Sequence, residues 1–205
     1  MSNQEQTPAP GNFRIKMILI GIIFLLPLAY AVYLKVTGWH PDKTTNYGEL
    51  VIPAVPLEDV VMQSIDGKAV SLKDFSHHWL MVTFSGSGCD AACEQNIYKM
   101  RQTHIAQGKY QLRVKRLLVL SGKPKPGSLA KLKEYPEMVI VTGPAEAIRA
   151  FGSQFKTSQG TALDGLNQIY LVDPLGNFML HYDADAEAGG IRKDLGRLLR
   201  VSRIG

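Results

Sequence analysis

Trp79-Leu80-Met81-Val82-Thr83-Phe84-Ser85-Gly86-Ser87-Gly88-Cys89-Asp90-Ala91-Ala92-Cys93 sets an unbroken apolar, β-branched run against a glycine-punctuated turn that carries both cysteines of the chain. The run 79–84 has the composition of a strand buried on both faces. Gly86 and Gly88 permit a sharp turn, and 94–105 reads as a helix. Cys93 therefore falls near a helix N-terminus, with Cys89 in the loop above it. Backbone N–H groups and the helix dipole favour a thiolate there, lowering a thiol pKa below the ~8.5 of free cysteine. Asp90 and Glu94 flank the pair and act in the opposite sense.

Two thiols with three residues between them admit three chemistries. They form a reversible dithiol/disulfide couple, a pair of soft ligands for Cu(I) or zinc, or a structural bridge. A bridge across so short a loop stabilises the fold only modestly, by ~2 kcal/mol of chain entropy. The glycines shape the loop for access, which favours a reactive couple.

Outward toward the N-terminus, residues 17–34 contain no charged side chain and are long enough as a helix to cross most of a ~30 Å hydrocarbon layer. Residues 17–35 are read as a transmembrane anchor. Arg14 and Lys16 precede it, so the tail 1–16 is expected in the cytoplasm and the remainder across a bacterial inner membrane, in the periplasm. Ala29-Tyr30-Ala31 offers a competing reading as a signal-peptide cleavage site, but the apolar run continues past it. Both readings export the rest of the chain to a compartment where disulfides persist.

Residues 36–56, with Gly38, Pro41, Pro53 and Pro56, read as an extended linker, and 57–205 as one domain. Within it, 60–63 and 69–72 flank Ile65-Asp66-Gly67-Lys68, a hairpin turn signal. After the central strand and its helix come strands at 117–120 and 138–141, helices at 127–133 and 145–155, and a pair of strands at 168–172 and 178–182 around Asp173-Pro174-Leu175-Gly176-Asn177. A last amphipathic helix carries Ile191, Leu195, Leu198 and Leu199 on one face. The predicted class is α/β, with a thioredoxin-like central sheet, flanking helices and one preceding transmembrane helix.

The anchor, the Asp66-Gly67 hairpin with Leu72 and Phe75 after it, the Cys89-x-x-x-Cys93 spacing and the segment Ile169-Tyr170-Leu171-Val172-Asp173-Pro174-Leu175-Gly176-Asn177-Phe178 resemble the Sco/SenC proteins, thioredoxin-like factors that help assemble the copper centre of cytochrome c oxidase. The resemblance implies Cys89 and Cys93 as the reactive pair, copper as the metal they would hold, and an oxidase subunit or another assembly factor as partner. It also implies a third copper ligand, a histidine five residues before Tyr170, where this chain has Gly165 after Asp164. The proline that commonly follows the first cysteine is Asp90 here. On this reading the protein assists copper-centre assembly as a thiol-disulfide protein and is a candidate oxidoreductase. The alternatives are a Cu(I) chaperone without turnover, or a docking module whose disulfide is a staple. Peroxidase chemistry is disfavoured, because 82–88 lacks the proline of the peroxiredoxin motif.

The remaining polar residues carry weaker signals. The net charge of +5 is spread thinly, with Lys109, Arg113, Lys115 and Arg116 near one strand and Arg192, Lys193, Arg197 and Arg200 along the last helix. That helix face is read as solvated, with an acidic partner or anionic lipid as its other use. Nucleic acid is not an expected partner of an exported domain. His40, His77, His78, His104 and His181 have no ligand spacing to one another or to a cysteine, and Met62, Met81 and Met100 read as core.

Overall fold

The structure, a computed structural model, describes residues 11–38, 45–132, 134–135 and 137–204. Residues 1–10 of the expected tail and His40 lie outside them. The chain divides into a first unit up to Thr45 and a second compact unit from Asn46. In the first, α1 (Gly11–Thr37) includes Pro27, and its stretch Phe13–Thr37 is long and apolar enough to cross a membrane.

The second unit is organised by seven residues. β4 (Trp79–Ser85) is buried along its length up to Ser85, with successive side chains alternating between two cores. Leu80, Val82 and Phe84 pack on one face with Phe151, Phe155 and Phe178, and Trp79 and Met81 pack on the other with Ile97, Met100, Ile191 and Leu195. A strand covered on both faces reads as a continuous apolar run, which is the sequence found at 79–84.

β4 runs parallel to β5 (Val114–Leu120), which runs parallel to β6 (Met138–Thr142). On its other side β4 pairs antiparallel with β9 (Ile169–Val172), which pairs with β10 (Asn177–Tyr182). The hairpin of β2 (Met62–Ser64) and β3 (Ala69–Val70) adds to β6, and β1 (Glu49–Pro56) adds to β10. Among the described residues the sheet has the order β1-β10-β9-β4-β5-β6-β2-β3. The helices α2 (Ala91–Ile105) and α5 (Ala188–Val201) contribute to the core with Met81, and α4 (Ala145–Gly152) to the core with Phe84. The short α3 (Pro126–Leu132) lies between β5 and β6 in the chain. The thioredoxin-like layout expected from the sequence is the layout observed.

Two local differences have physical causes. Residues 49–56, read above as the end of the linker, form the edge strand β1, with Glu49 opposite His181 and Pro56 opposite Asn177. Prolines are tolerated at a sheet edge, where one row of N–H groups needs no partner, so the same composition suits an edge strand and a linker. The helix expected over 145–155 stops at Gly152, and the chain forms a small hairpin of β7 (Lys156–Thr157) and β8 (Gly160–Thr161), pinned by Asp164.

The entry to the domain is fastened to α5. The backbone N–H groups of Tyr47 and Gly48 donate to Asp194 Oδ2 at 2.7 and 3.0 Å, and the Tyr182 hydroxyl donates to the same oxygen at 3.4 Å. Lys193 Nζ donates to the Tyr47 hydroxyl at 2.9 Å, and Arg113 donates to the carbonyls of Leu199, Ser202 and Ile204. The basic side chains of this region are therefore partly engaged within the fold.

Near the end of α2, the buried His104 ring bonds to the Gln111 carbonyl at 3.1 Å. Burial first, and the Arg116 cation second, hold its pKa below the ordinary 6.5. The unfolded chain therefore takes up this proton before the folded one does. Stability linked to His104 is full above pH ~6.5 and declines as pH falls from there toward the lowered folded value. Urea melts between pH 7.5 and 5 are expected to show this decline, and His104→Gln to flatten it in that window.

Candidate functional site

The end of β4, the turn 86–90 and the start of α2 bring Cys89 and Cys93 together, and they are joined in a disulfide with Cα atoms 5.1 Å apart. The turn is not made by its glycines. Neither Gly86 nor Gly88 adopts positive φ, whereas Cys89 has φ 42, the left-handed region that a side chain rarely occupies. Cys89 N–H reaches back to the Gly86 carbonyl at 3.4 Å, and Lys125 N–H donates to the Ser87 carbonyl at 3.3 Å.

Asp90 is the N-cap of α2 and accepts a hydrogen bond from Cys93 N–H at 3.0 Å. This uses one of the amides expected to stabilise a thiolate, and it sets a carboxylate beside the pair. Glu94, the other flanking acid, is engaged by Lys131 Nζ at 2.8 Å, a bond that raises the Lys131 pKa. Both sulfur side chains are largely buried, with Cys89 7% and Cys93 1% exposed. Cys89 lines a cleft of about 300 Å³ between α2 and α3, together with Glu94, Ser128, Lys131 and Tyr135. Ser128 Oγ donates to the Gly88 carbonyl at 2.6 Å and ties α3 to the turn.

On the other side of the turn, Asp90 lines a second cleft of about 180 Å³ with Ser85, Gly86, Ser121, Leu163, Gly165 and Asn167. Gly165 has φ +74 and open space where a Cβ would stand. Asp164 closes the preceding loop by accepting from Thr161 N–H and Oγ1 at 2.7 and 2.9 Å, bonds that hold its pKa below the usual carboxylate value. Asn96, one turn along α2 from Cys93, donates to Thr83 Oγ1 at 3.2 Å and to the Asn167 carbonyl at 2.8 Å, so the loop is tied to the dithiol helix. Asn96, Ser128 and Lys131 are additions to the sequence reading. The i+3 spacing of Asn96 from Cys93 marks it on the same helix face, whereas nothing in the sequence relates Ser128 or Lys131 to a turn about forty residues away.

Among the described residues no three His, Cys, Asp or Glu side chains are grouped to hold a metal ion. His77 and His78 lie before β4, His77 with φ 66, while His104 and His181 are buried. Met62, Met81 and Met100 are core residues.

A thioredoxin-like domain with a C-x-x-x-C disulfide where its first central strand meets a helix defines a thiol-bearing class of proteins. The chain belongs to the transmembrane-like, thioredoxin-like, C-terminal domain family, which matches residues 79–202. The mitochondrial SCO2 homolog of Danio rerio is 26% identical over 204 residues, covering 88% of this chain and 72% of that protein. The fold is shared with copper-bound ScoI of Arabidopsis thaliana (TM-score 0.60, 16% identity, 71% of this chain and 98% of that one). It is also shared with BsSco, a Sco-family cytochrome c oxidase assembly protein described for its disulfide switch (TM-score 0.57, 21% identity, 73% and 96%). The resemblance to Sco proteins read from the sequence is borne out.

The cap geometry predicts the sign of Asp90 substitutions. Asp90→Asn keeps a capping oxygen and removes the charge that opposes a thiolate. It is expected to stabilise the reduced form and raise the reduction potential by about 15–30 mV, while stability changes little. Asp90→Ala removes the cap as well, at ~1 kcal/mol. Glutathione redox titration and urea unfolding of the two variants measure the two effects separately.

Proposed function

We propose that the protein is anchored by residues 17–35 in a bacterial inner membrane, carries the domain that begins at Asn46 in the periplasm, and uses Cys89 and Cys93 as a thiol-disulfide couple in assembling the copper centre of cytochrome c oxidase. The observation that carries this reading is the disulfide at the β4–α2 junction, in a chain related to Sco proteins. Support for the orientation comes from Arg14 and Lys16 ahead of the apolar helix.

In the reduced protein the Cys89 thiolate attacks a partner disulfide, forming a mixed disulfide and releasing one partner thiolate. Cys93, deprotonated, then attacks Cys89 Sγ, restoring the intramolecular disulfide and releasing the second partner thiolate. Two electrons pass to the partner, and an external dithiol restores the couple. Cys89 is assigned the outer role because it is the cysteine that lines the cleft. Cys93→Ser is expected to accumulate a covalent adduct with a cysteine of an oxidase subunit or assembly factor, released by dithiothreitol. A Cys93→Ser strain with no such adduct, and with normal oxidase copper in the Cys89→Ala/Cys93→Ala strain, would eliminate the exchange mechanism in favour of a docking role.

Copper carriage by the reduced pair is the second reading, favoured by the copper-bound state of the ScoI relative. Copper is cargo here, and the chain offers two sulfur donors, with Gly165 where a histidine ligand would stand in the family. Reduced protein is expected to take up one Cu(I), lost in Cys89→Ala and in Cys93→Ala, and to hold Cu(II) poorly. Gly165→His has room for its side chain but places a Cβ at φ +74, costing ~1–2 kcal/mol of stability. Competition titration against a Cu(I) chelator is expected to show tighter binding in Gly165→His. Unchanged affinity would remove this loop from the copper reading.

A further inference from the structure

About 18 Å along α2 from Cys93, at the rise of an α-helix, lies a surface with no role in thiol chemistry. The segment Gly108–Arg113 and the end of α5 are stitched together there by Arg113, whose Nη1 donates to the Leu199 carbonyl at 2.7 Å and whose Nη2 donates to those of Ser202 and Ile204 at 2.9 and 2.8 Å. The clamp holds Leu112 and Val201 outward, 82% and 78% exposed. Ile204, which follows Val201 in the chain, is 44% exposed. The Tyr110 ring carries Lys109 Nζ at 5.1 Å and the Arg113 guanidinium at 5.6 Å. Lys109, Arg200 and Arg203 are exposed, and Lys115 and Glu137 line the adjoining groove with Leu112. Protruding aliphatic side chains, a tyrosine and a predominantly basic rim are the chemistry of a surface that meets anionic lipid headgroups.

We infer that this pole of the domain docks on an anionic bilayer surface, with Leu112 and Val201 entering the headgroup layer and Lys109, Arg200 and Arg203 meeting lipid phosphates. The inference rests on the proposed membrane anchoring and deepens it. A tether holds the domain near the bilayer, so an attraction too weak to recruit a free protein suffices to orient an attached one. Docked in this way, α2 stands between the bilayer and the disulfide, and Cys89 faces partners that project from the membrane. The charge matches an anionic surface, and the uncapped aliphatic side chains gain a less aqueous environment that an ordinary acidic protein surface does not supply.

The test uses the full chain in nanodiscs of phosphatidylcholine alone or mixed with phosphatidylglycerol, read by hydrogen exchange over 108–115 and 198–204. Exchange is expected to slow about tenfold in the phosphatidylglycerol discs, and to return to the phosphatidylcholine rate in high salt. K109E/R200E/R203E is expected to abolish the slowing, Leu112→Ser and Val201→Ser to weaken it, and Arg149→Glu on α4 to leave it intact. Circular dichroism confirms that each variant is folded. Equal exchange in the two discs, or slowing that survives the triple charge reversal, overturns the docking while leaving the anchor standing. Release of the full chain from native membranes by alkaline carbonate overturns the anchor, and the docking with it.

Discussion

Burial of β4 on both faces is the constraint from which the site follows. A strand flanked by β5 and β9 and covered by two cores cannot shift register without moving every side chain to the wrong face. Its C-terminal end is thereby fixed, and the turn that starts at Ser85 must leave the sheet at one point. Cys89, Asp90 and Cys93 inherit their positions from that exit. The Ser121 N–H to Ser85 carbonyl bond at 2.9 Å ties the parallel neighbour to the same point, so the floor beneath the turn is rigid on two strands.

A buried polar chain extends that rigidity to the loop on the far side of the turn. Thr83 Oγ1 donates to the Gln168 carbonyl at 3.0 Å while accepting from Asn96, and Gln168 Nε2 reaches Asp183 at 2.7 Å and Gln159 at 3.2 Å. Tyr170 closes the set with its hydroxyl on Gln168 Oε1. Fully bonded networks of this kind are worth keeping in a core because each member left alone would cost more than a neutral contact gains. Their effect here is geometric. The loop that carries Gly165 is fastened through Asn96 to the helix that carries Cys93, so a group borne by that loop would be held near the turn by more than chain connectivity.

The sequence showed the strands and the cysteine turn clearly, because 79–84, 117–120 and 138–141 are apolar runs whose burial leaves little choice of element. It was silent where one composition serves two conformations. The prolines of 49–56 fit a tether and an edge strand equally, and the pairing of Glu49 with His181 depends on β10, more than a hundred residues later. At the site, the cysteines and their acidic neighbours were legible from adjacency. That Asp90 spends its oxygen on Cys93 N–H, that Lys131 meets Glu94, and that Cys89 rather than a glycine takes positive φ are consequences of tertiary placement.

Those same placements decide which way the couple leans. A helix N-terminus alone stabilises a thiolate and makes a disulfide oxidising. Here the Cys93 amide is already bonded to a carboxylate, so that donor is not free for a sulfur, and the carboxylate charge stands next to any thiolate that forms. Lys131 offsets the Glu94 charge, but the pair is solvent-exposed, with Lys131 67% and Glu94 45% accessible, so water screens it. The Asp90 carboxylate, by contrast, is fixed by the cap at the Cys93 amide. That placement favours the disulfide relative to the thiolates.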